Sequence, residues 1–449
     1  MRLFYTFIFG GAILGAAILA SPAHATTLNQ ALAHALGKNP SYQSARFNYK
    51  ASYSGQFVVL ANMLPRVTAY AEETRGKTSF DVRNAGSSGA NPFLDAGGKL
   101  DTDTYGVELR QTIFASGKHI NAYLSNRAQV KASRHQLAET QQQILLAAIT
   151  VYFDVVQADA VVSLNKSNLD VLQKQLQAQQ DRFDVGVSTR TAVAQAEAGV
   201  ANARASLLGA QAEHQSARAT YREIIGVEPE NLSKPIALPN LPSSLADALN
   251  IARSENPLLH ASKEAARSAR LSFYSAIGDA LPNIELTARY SYTEDPSRYL
   301  IGVDREQTSI SVRLNVPIIR GGGTFSGIDA AQYAASAVRS DVRTASNMVE
   351  RGVVAAWSNY QATNATIPAR QKQIQASGIA LDGIREENNL GTSTILDVLD
   401  TEQNYLDARV ALVRAERNRF VAMHALLANM GRLTAGHMGI TPASATTKR

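Results

Sequence analysis

The chain has 449 residues, with 44 lysines and arginines against 38 aspartates and glutamates, and it contains no cysteine. Apolar residues make up 45% and charged residues 18%, which excludes a disordered chain or a nucleic-acid-binding tail. The mean hydropathy of −0.14 excludes a bundle of membrane-spanning helices. The lack of cysteine excludes disulfides, thiolate metal sites and lipid attachment through cysteine. At about 150 residues per domain, the length alone predicts three domains.

The first 25 residues have the pattern of a secretory signal peptide. Arg2 precedes an almost wholly apolar stretch that ends at Ala20, and Ala23-His24-Ala25 fits the small-x-small rule for cleavage. We therefore expect cleavage before Thr26 and export of the remaining chain, which suits a bacterial envelope. An uncleaved membrane anchor is the alternative.

The exported part of the chain is one unit that occurs twice. A shift of 217 residues aligns Asn39-Pro40 with Asn256-Pro257, and a shift of 205 aligns a Gly-x-Ser-Thr motif at 186–189 with one at 391–394. The first copy therefore carries 12 extra residues, in a glycine-rich stretch between Pro65 and Leu109. We predict the following organisation: repeats at residues 26–226 and 244–431, a proline-rich linker at 227–243, and a C-terminal tail at 432–449.

Each copy has the pattern of a helix, two strands, a long helix, a turn and a second helix. The first helices are predicted at residues 27–63 and 244–280, and the long helices at 117–185 and 324–390. A helix of about 69 residues spans roughly 100 Å, a length that indicates coiled-coil packing.

The long helices contain one interruption signal and two clear stop signals. Pro368 lies inside the second long helix and is expected to kink or interrupt it. Gly186 and Gly391 end the long helices, and Thr189 and Thr394 are placed to cap the helices that follow.

Four segments between the helices alternate apolar and polar residues, as strands do, at residues 66–72, 104–110, 284–292 and 309–316. In a soluble protein, one face of such a sheet would pack on a core. In an exported chain, the length and the alternation match strands of a water-filled membrane barrel. Four strands are too few to close a barrel, and lipid does not tolerate open edges. We therefore expect three chains to pool twelve strands.

At this point the sequence resembles the TolC family of outer-membrane efflux and secretion channels, over essentially the whole exported chain. The resemblance rests on the Ala-Leu…Asn-Pro opening of both copies, the Leu-Pro before each first strand, and the segments FDVGVSTRTAVAQAE at 183–197 and GTSTILDVLD at 391–400. In form it is closest to outer-membrane proteins of type I secretion.

The resemblance implies a mainly α fold with a membrane β-barrel. Each chain would supply long antiparallel coiled-coil helices and four strands from a tandem duplication. A homotrimer would then form a 12-stranded barrel in the outer membrane on a 12-helix α-barrel that crosses the periplasm.

The resemblance also implies a passive exit duct for type I protein secretion, multidrug efflux or both. Its partners would be a periplasmic adaptor protein, an inner-membrane pump (ABC or proton-driven) and outer-membrane lipid, with no nucleic acid. The periplasmic end would be gated, and the hairpin tips would contact the adaptor. These tip residues are Gly186, Val187, Ser188, Thr189, Gly391, Thr392, Ser393 and Thr394.

Two carboxylates stand at one of the tips. Asp397 and Asp400 are three residues apart and share a helix face, so three copies would form two acidic rings that attract cations. The alternative is that Asp397 completes a cap with Thr394, and both roles are compatible.

The sequence departs from the family's gate at three positions. Ala192 stands where the family has an acid, Asn388 where it has a tyrosine, and Ser393 where it has an arginine. We therefore expect weaker resting closure, or closure through other partners such as Arg190 or Asn388.

The sequence contains no nucleophile motif and no histidine pattern with metal-ligand spacing, so we expect no enzyme activity, cofactor or metal. The second candidate function is a periplasmic coiled-coil adaptor without a pore, which the duplicated membrane-type strands argue against. A third, an envelope enzyme, lacks site chemistry. The sequence does not define the cargo.

Overall fold

The computed structural model describes residues 26–78, 98–233, 239–296 and 302–440. The predicted signal peptide, most of the extra loop of the first copy and the end of the tail lie outside these ranges. The described residues form eight helices and four strands. In chain order they are α1 (Leu28–Lys38), α2 (Pro40–Ala61), β1 (Arg66–Thr78), β2 (Gly98–Phe114), α3 (Lys118–Asp184), α4 (Arg190–Ile225), α5 (Leu245–Glu255), α6 (Pro257–Gly278), β3 (Asn283–Glu294), β4 (Asp304–Asn315), α7 (Gly323–Asn389) and α8 (Ile395–Met430).

The prediction of a single first helix in each copy is wrong, because both helices break at the Asn-Pro motif. Asn39 is extended (φ −64°, ψ 122°), as the residue before a proline prefers. Its side-chain oxygen accepts hydrogen bonds from the N–H groups of Ser41 and Tyr42, which starts α2. Its amide nitrogen donates to the carbonyl of Ile224 at 3.2 Å, at the end of α4. The motif is thus a helix junction that is tied to the end of a distant helix.

Of the two effects expected of Pro368, a kink or an interruption, the interruption is wrong, because α7 continues through this residue. A proline in a helix interior removes one hydrogen bond and is unfavourable by about 3 kcal/mol. Helix α7 packs along α8, and Ile367 next to the proline and Leu381 further on are both buried. This packing offsets the lost bond and keeps the helix continuous.

The turns between the long helices and their return helices form where the sequence predicts them. Gly391 has φ +79°, a left-handed conformation that glycine adopts without strain. The N–H of Gly391 donates to the carbonyl of Asn388, and that of Thr392 donates to the carbonyl of Glu387. These two bonds satisfy carbonyls at the helix end. Gly186 makes the same turn in the first copy.

The four strands form one antiparallel sheet in the order β1-β2-β3-β4. Its register places apolar residues opposite one another across all four strands. One such row comprises Val67, Leu109, Ala288 and Ile310. The predicted division into an apolar and a polar face is therefore confirmed, and β1 and β4 are the edges of the sheet in a single chain.

The helices next to the sheet follow the order of its strands. Helix α3 packs against α2 and α6, and α6 packs against α7. The layer α2-α3-α6-α7 therefore continues the sheet β1-β2-β3-β4 away from the strands. Further along, α3 packs against α4 and α8, and α7 packs against α8.

The main hydrophobic core lies where α1 and α5 cross the long helices. Its largest fully buried side chains include Tyr152, Tyr221 and Leu426, and Leu433 of the tail packs into the same core. Within the described residues, α3 holds one stretch that is long and apolar enough to cross a membrane, and half of that stretch is buried in the protein. The burial matches the core role of Tyr152 and its neighbours in α3.

Candidate functional site

The two helix hairpins meet at their tips, opposite the sheet. Ala196 of α4 packs with Ile395 and Val398 of α8 in a small buried cluster. Gly199 of α4 faces the side chain of Leu399, and a Cβ built on Gly199 would lie 3.0 Å from a Leu399 methyl carbon. The close approach brings the turns at 185–189 and 390–394 to the same end of the folded molecule.

Asp397 caps the helix that begins at this tip. The Thr394 hydroxyl accepts from the N–H of Asp397 at 3.3 Å, and the Asp397 carboxylate accepts from the N–H of Thr394 at 2.9 Å. The hydroxyl of Thr394 also donates to that carboxylate at 2.6 Å. These hydrogen bonds, the one from the hydroxyl first, hold the pKa of Asp397 below its ordinary value of 3.8. The expected cap is therefore present.

Asp397 stays exposed although it caps the helix, and Asp400 is exposed on the next turn. The cap uses one oxygen of Asp397, Oδ2. The arrangement is thus compatible with both roles of Asp397, and the acidic ring depends on further copies of the chain.

The three positions that depart from the family's gate have local structural roles in this chain. Ala192 is half-buried against the cluster formed by Ala196, Ile395 and Val398. The Asn388 amide donates to the carbonyl of Ser393 at 3.0 Å. The hydroxyl of Ser393 donates to the carbonyl of Ile384 at 3.2 Å. All three therefore support the turns themselves.

The sequence analysis missed Arg182, which joins the two hairpins near the tip. Its guanidinium donates to the side-chain oxygen of Asn389 at 3.0 Å and to that of Asn388 at 3.5 Å. Arg182 lies in the last turn of α3, and the two asparagines are the last residues of α7. With the repeat offset of 205, position 182 corresponds to position 387, next to the two asparagines. This correspondence was the signal that could have found the contact.

A second missed contact is the ion pair between Arg385 of α7 and Glu402 of α8. The Glu402 side chain is only 5% exposed, and Arg385 donates to its carboxylate through two nitrogens. The two residues have opposite charges and stand six positions before and eleven positions after Gly391, on the two antiparallel helices that this turn joins, which is the signal that could have found them. The pair fixes α7 against α8 just behind the tip.

The polar face of the sheet carries a charged cluster at the other end of the molecule. Glu108 of β2 lies directly opposite Arg289 of β3, and it forms ion pairs with both Arg289 and Arg110. Its side chain is only 11% exposed. This face therefore holds paired charges, whereas the row of Val67, Leu109, Ala288 and Ile310 on the other face is wholly apolar.

These features define a class of protein in which two long helical hairpins carry a small antiparallel sheet that is apolar on one face. The sequence model of the "Outer membrane efflux protein" family matches residues 31–227 and 248–432. These two ranges cover most of the chain, and they coincide with its two copies. The chain belongs to the outer membrane efflux protein family.

Curated relatives agree with this assignment. Outer membrane efflux protein BepC of Brucella suis biovar 1 is 32% identical over 427 residues, which cover 95% of this chain and 90% of BepC. Outer membrane protein TolC of Vibrio cholerae is 25% identical over 336 residues, which cover 73% of this chain and 76% of TolC. The resemblance to the TolC family is therefore confirmed.

A solved structure confirms the fold. The Campylobacter jejuni CmeC outer membrane channel superposes with a TM-score of 0.78 at 16% identity, over 94% of this chain and 88% of that one. The chain is an outer-membrane efflux protein of a transport family, and the adaptor alternative is not supported.

Proposed function

We propose that the chain works as a homotrimer that forms a closed channel across the outer membrane. The observation that carries the proposal is the four-stranded sheet with free edges at β1 and β4. Open edges are not tolerated in lipid, and closed barrels need about eight strands or more. Three copies supply twelve strands, whose apolar faces would contact lipid while their polar faces line the channel.

The trimer is a passive exit duct for multidrug efflux, type I protein secretion or both. It carries cargo that an inner-membrane pump, ABC or proton-driven, delivers through a periplasmic adaptor. Energy therefore comes from the pump, and the duct needs no catalytic site or cofactor. The efflux role of the relative BepC favours efflux as the first function to test.

The chain divides at the boundaries that the repeat suggests. Residues 1–25 are a cleaved signal peptide, 26–226 and 244–431 are the two repeats, 227–243 join them, and 432–449 form the tail. Support comes from the glycine helix ends at Gly226 and Gly431, which stand at equivalent positions of the two copies.

The periplasmic aperture is formed by the tips, with Asp397 and Asp400 in rings of three. Support comes from the exposure of both side chains and from the lowered pKa of Asp397, which keeps its carboxylate charged. Such rings attract cations and repel anions. The adaptor contacts the turns at 186–189 and 391–394, whose backbones are fixed by helix-end hydrogen bonds.

Resting closure of this aperture is weaker than in family members that have an acid, a tyrosine and an arginine at positions 192, 388 and 393. The side chains that stand there, Ala192, Asn388 and Ser393, form contacts within their own turns and cluster. Arg182 supplies a bond between hairpins instead, through Asn388 and Asn389.

Fractionation and a deletion strain test this function. We expect the protein in outer-membrane fractions, as a band whose migration on gels changes on heating. We expect the deletion strain to become sensitive to drugs, to lose secreted proteins, or both, and to recover with the full gene. A soluble monomer, or a strain unchanged in both respects, would contradict the proposal.

A further inference from the structure

A strongly basic groove lies between α6 and α7, near the sheet and far from the tips. It encloses a cavity of about 470 Å³. Lys263, Arg267 and Arg270 of α6 line it, and Arg339 of α7 faces them. The ten residues that line the cavity include no acidic side chain.

The four cations are not neutralised by the protein itself. Within the described part of the chain, none of them forms an ion pair. Glu264, the acidic residue of α6, is half-buried and acts on His135 of α3. Like charges three and four residues apart on a helix destabilise it, and this holds for Lys263, Arg267 and Arg270. A bound anion would remove the repulsion.

The first copy of the duplication keeps three of the four charges, with Tyr53 at the position of Arg270. The residues equivalent to Lys263, Arg267 and Arg339 are Arg46, Lys50 and Arg134, so all three positions remain cationic. The membrane-proximal parts of the four helices (residues 40–61, 118–138, 257–278 and 323–344) hold eleven lysines and arginines against three carboxylates. The excess of positive charge is therefore shared by all four helices in the part of the molecule next to the sheet.

The groove begins next to the strands that span the membrane. At 1.5 Å per residue, Tyr274 lies roughly 6 Å and Arg270 roughly 12 Å before the end of α6 at Gly278. The polar layer of a bilayer extends roughly 5–8 Å beyond its hydrocarbon core on each side. With the edge of the hydrocarbon core taken at the end of α6, Tyr274 is level with the headgroups, and the Arg270 side chain can reach them. Lys263 and Arg339 form the far end of the groove.

The cations face outward from the curved helix layer. On α6, Ser268 and Ser272 contact Ser125 of α3, whereas Ala266 and Phe273 border α7. On a helix with 3.6 residues per turn, the arc between these two contacts is about 230° on the side of the cations and about 130° on the other side. The wider arc of a helix in a closed cylinder is the convex, outer one. Aromatic residues near the same level, Tyr53, Phe57 and Tyr274, are exposed, as in the interfacial belts of membrane proteins.

We propose that the groove between α6 and α7 binds the phosphate-bearing headgroup of an anionic phospholipid from the periplasmic leaflet. The lipid would leave the groove past Phe273 and Tyr274, with its acyl chains against the apolar face of the sheet. Arg267 and Arg270 would hold the phosphate through charge-assisted hydrogen bonds. The proposal rests on the outer-membrane location and on the proposed trimeric cylinder, and it holds whether or not the gate and cargo proposals do.

The test measures lipid binding to the full, detergent-solubilised protein by native mass spectrometry. The probes are short-chain phosphatidylglycerol, the zwitterionic phosphatidylcholine with the same chains, and inorganic pyrophosphate. We expect phosphatidylglycerol to bind in preference to the other two. The double variant Arg267→Gln/Arg270→Gln should lower its affinity about 30-fold, given the typical contribution of each cation near an anionic membrane.

Two controls keep this test decisive. Arg370→Gln/Lys372→Gln removes the same charge from a part of α7 that does not line the groove, and it should leave lipid binding unchanged. Arg267→Lys/Arg270→Lys should recover most of the affinity, which a merely structural role would not explain. Unchanged lipid binding in the glutamine variant would overturn the proposal. So would pyrophosphate binding as tight as that of the lipid, which would indicate a site for free phosphate. Loss of adaptor binding in that variant, with lipid binding unchanged, would assign the groove to a protein partner.

Discussion

Asp397 combines a structural bond with an exposed charge at the tip. The pKa of its carboxyl lies below 3.8 because Thr394 hydrogen bonds to the charged form. Because folding lowers this pKa, the charged carboxylate stabilises the folded protein above the pKa of the unfolded chain. This stabilisation is lost as the pH falls through the pKa of the folded state. Around neutral pH the side chain is therefore fully ionised.

Neutralising the tip carboxylates should reduce the cation selectivity of the channel. We expect Asp397→Asn/Asp400→Asn to shift the reversal potential in a salt gradient towards zero, because the rings then lose their charge. In the wild type, the contribution of Asp397 to selectivity should stay constant from pH 8 to pH 5, because its pKa lies below 3.8. Glu387→Gln, an exposed carboxylate that is not on α8, is the control. Selectivity unchanged in the double variant would contradict the ring.

Arg182 is the residue on which closure of the tip should depend most. We expect Arg182→Gln to raise the resting conductance in planar bilayers, because the bonds from α3 to Asn388 and Asn389 are weakened. Arg182→Lys, which keeps one donor, should have a smaller effect. Conversely, Ser393→Arg should lower the resting conductance. A wild type with very low conductance that neither substitution changes would show that resting closure does not use these contacts.

At the scale of single elements, the asparagine of each Asn-Pro motif joins two helices. Asn256 is 7% exposed, caps α6 through its oxygen, and donates to the carbonyl of Asn429 at 2.8 Å. Asn39 has the same two roles in the first copy. The motif that reveals the duplication in the sequence therefore also connects two consecutive helices to the end of a distant one.

The two roles of Asn256 can be separated by substitution. Asn256→Ser keeps a cap but removes the bond to Asn429, and we expect a loss of about 1 kcal/mol in the free energy of unfolding. Asn256→Ala removes the cap too, and should cost about 1 kcal/mol more. Thermal unfolding, monitored by circular dichroism, ranks the stabilities of the wild type and the two variants. Asn250→Ala, at an exposed position of α5, should cost nothing. Equal stability of the serine and alanine variants would rule out a separate role for the cap.

Two glycines with the same conformation should respond differently to alanine. Gly391 and Gly431 both have positive φ, so either substitution costs about 1–2 kcal/mol. At Gly431 a Cβ would lie 2.6 Å from the carbonyl oxygen of Glu255, whereas at Gly391 nothing lies within 4 Å. We expect Gly431→Ala to lower the unfolding temperature clearly more than Gly391→Ala. The reverse order would contradict the packing of α8 against α5.

Element types were predictable from the sequence, and their junctions and partners were not. The long helices, their glycine ends and the alternating strands follow from local periodicity, which a single sequence displays. The break at Asn39 was missed because both sides have helical patterns, although the proline after it was a signal. The continuity at Pro368 depends on packing against α8, which local sequence does not show. Asp397 was found through its cap motif, whereas Arg182 and the Arg385–Glu402 pair depend on contacts between distant segments.

At the scale of the whole molecule, the small net charge conceals an uneven distribution. The full chain carries a formal charge of +6, and the helix segments next to the sheet carry more positive charge than that sum. The remaining residues are therefore slightly negative in total, and Asp397 and Asp400 stand at the far end. The molecule is basic near the membrane and has exposed carboxylates at the tip.

In a single chain the sheet is incomplete, because its edge strands β1 and β4 have no partner strand on one side. Ile310, Val312 and Leu314 of the edge strand β4 are more than half exposed. Exposed apolar residues on an open edge strand are an aggregation risk in water and are not tolerated in lipid. Both problems disappear when strand β4 of one chain pairs with strand β1 of the next.

The number of chains in the detergent-solubilised particle tests the central claim most directly. Light scattering combined with absorbance and refractive index separates the mass of protein from that of detergent. The pooling of four strands per chain predicts three copies of the chain in each particle extracted from the outer membrane. A stable monomer or dimer would leave the strands too few for the proposed 12-stranded barrel, and would contradict the account.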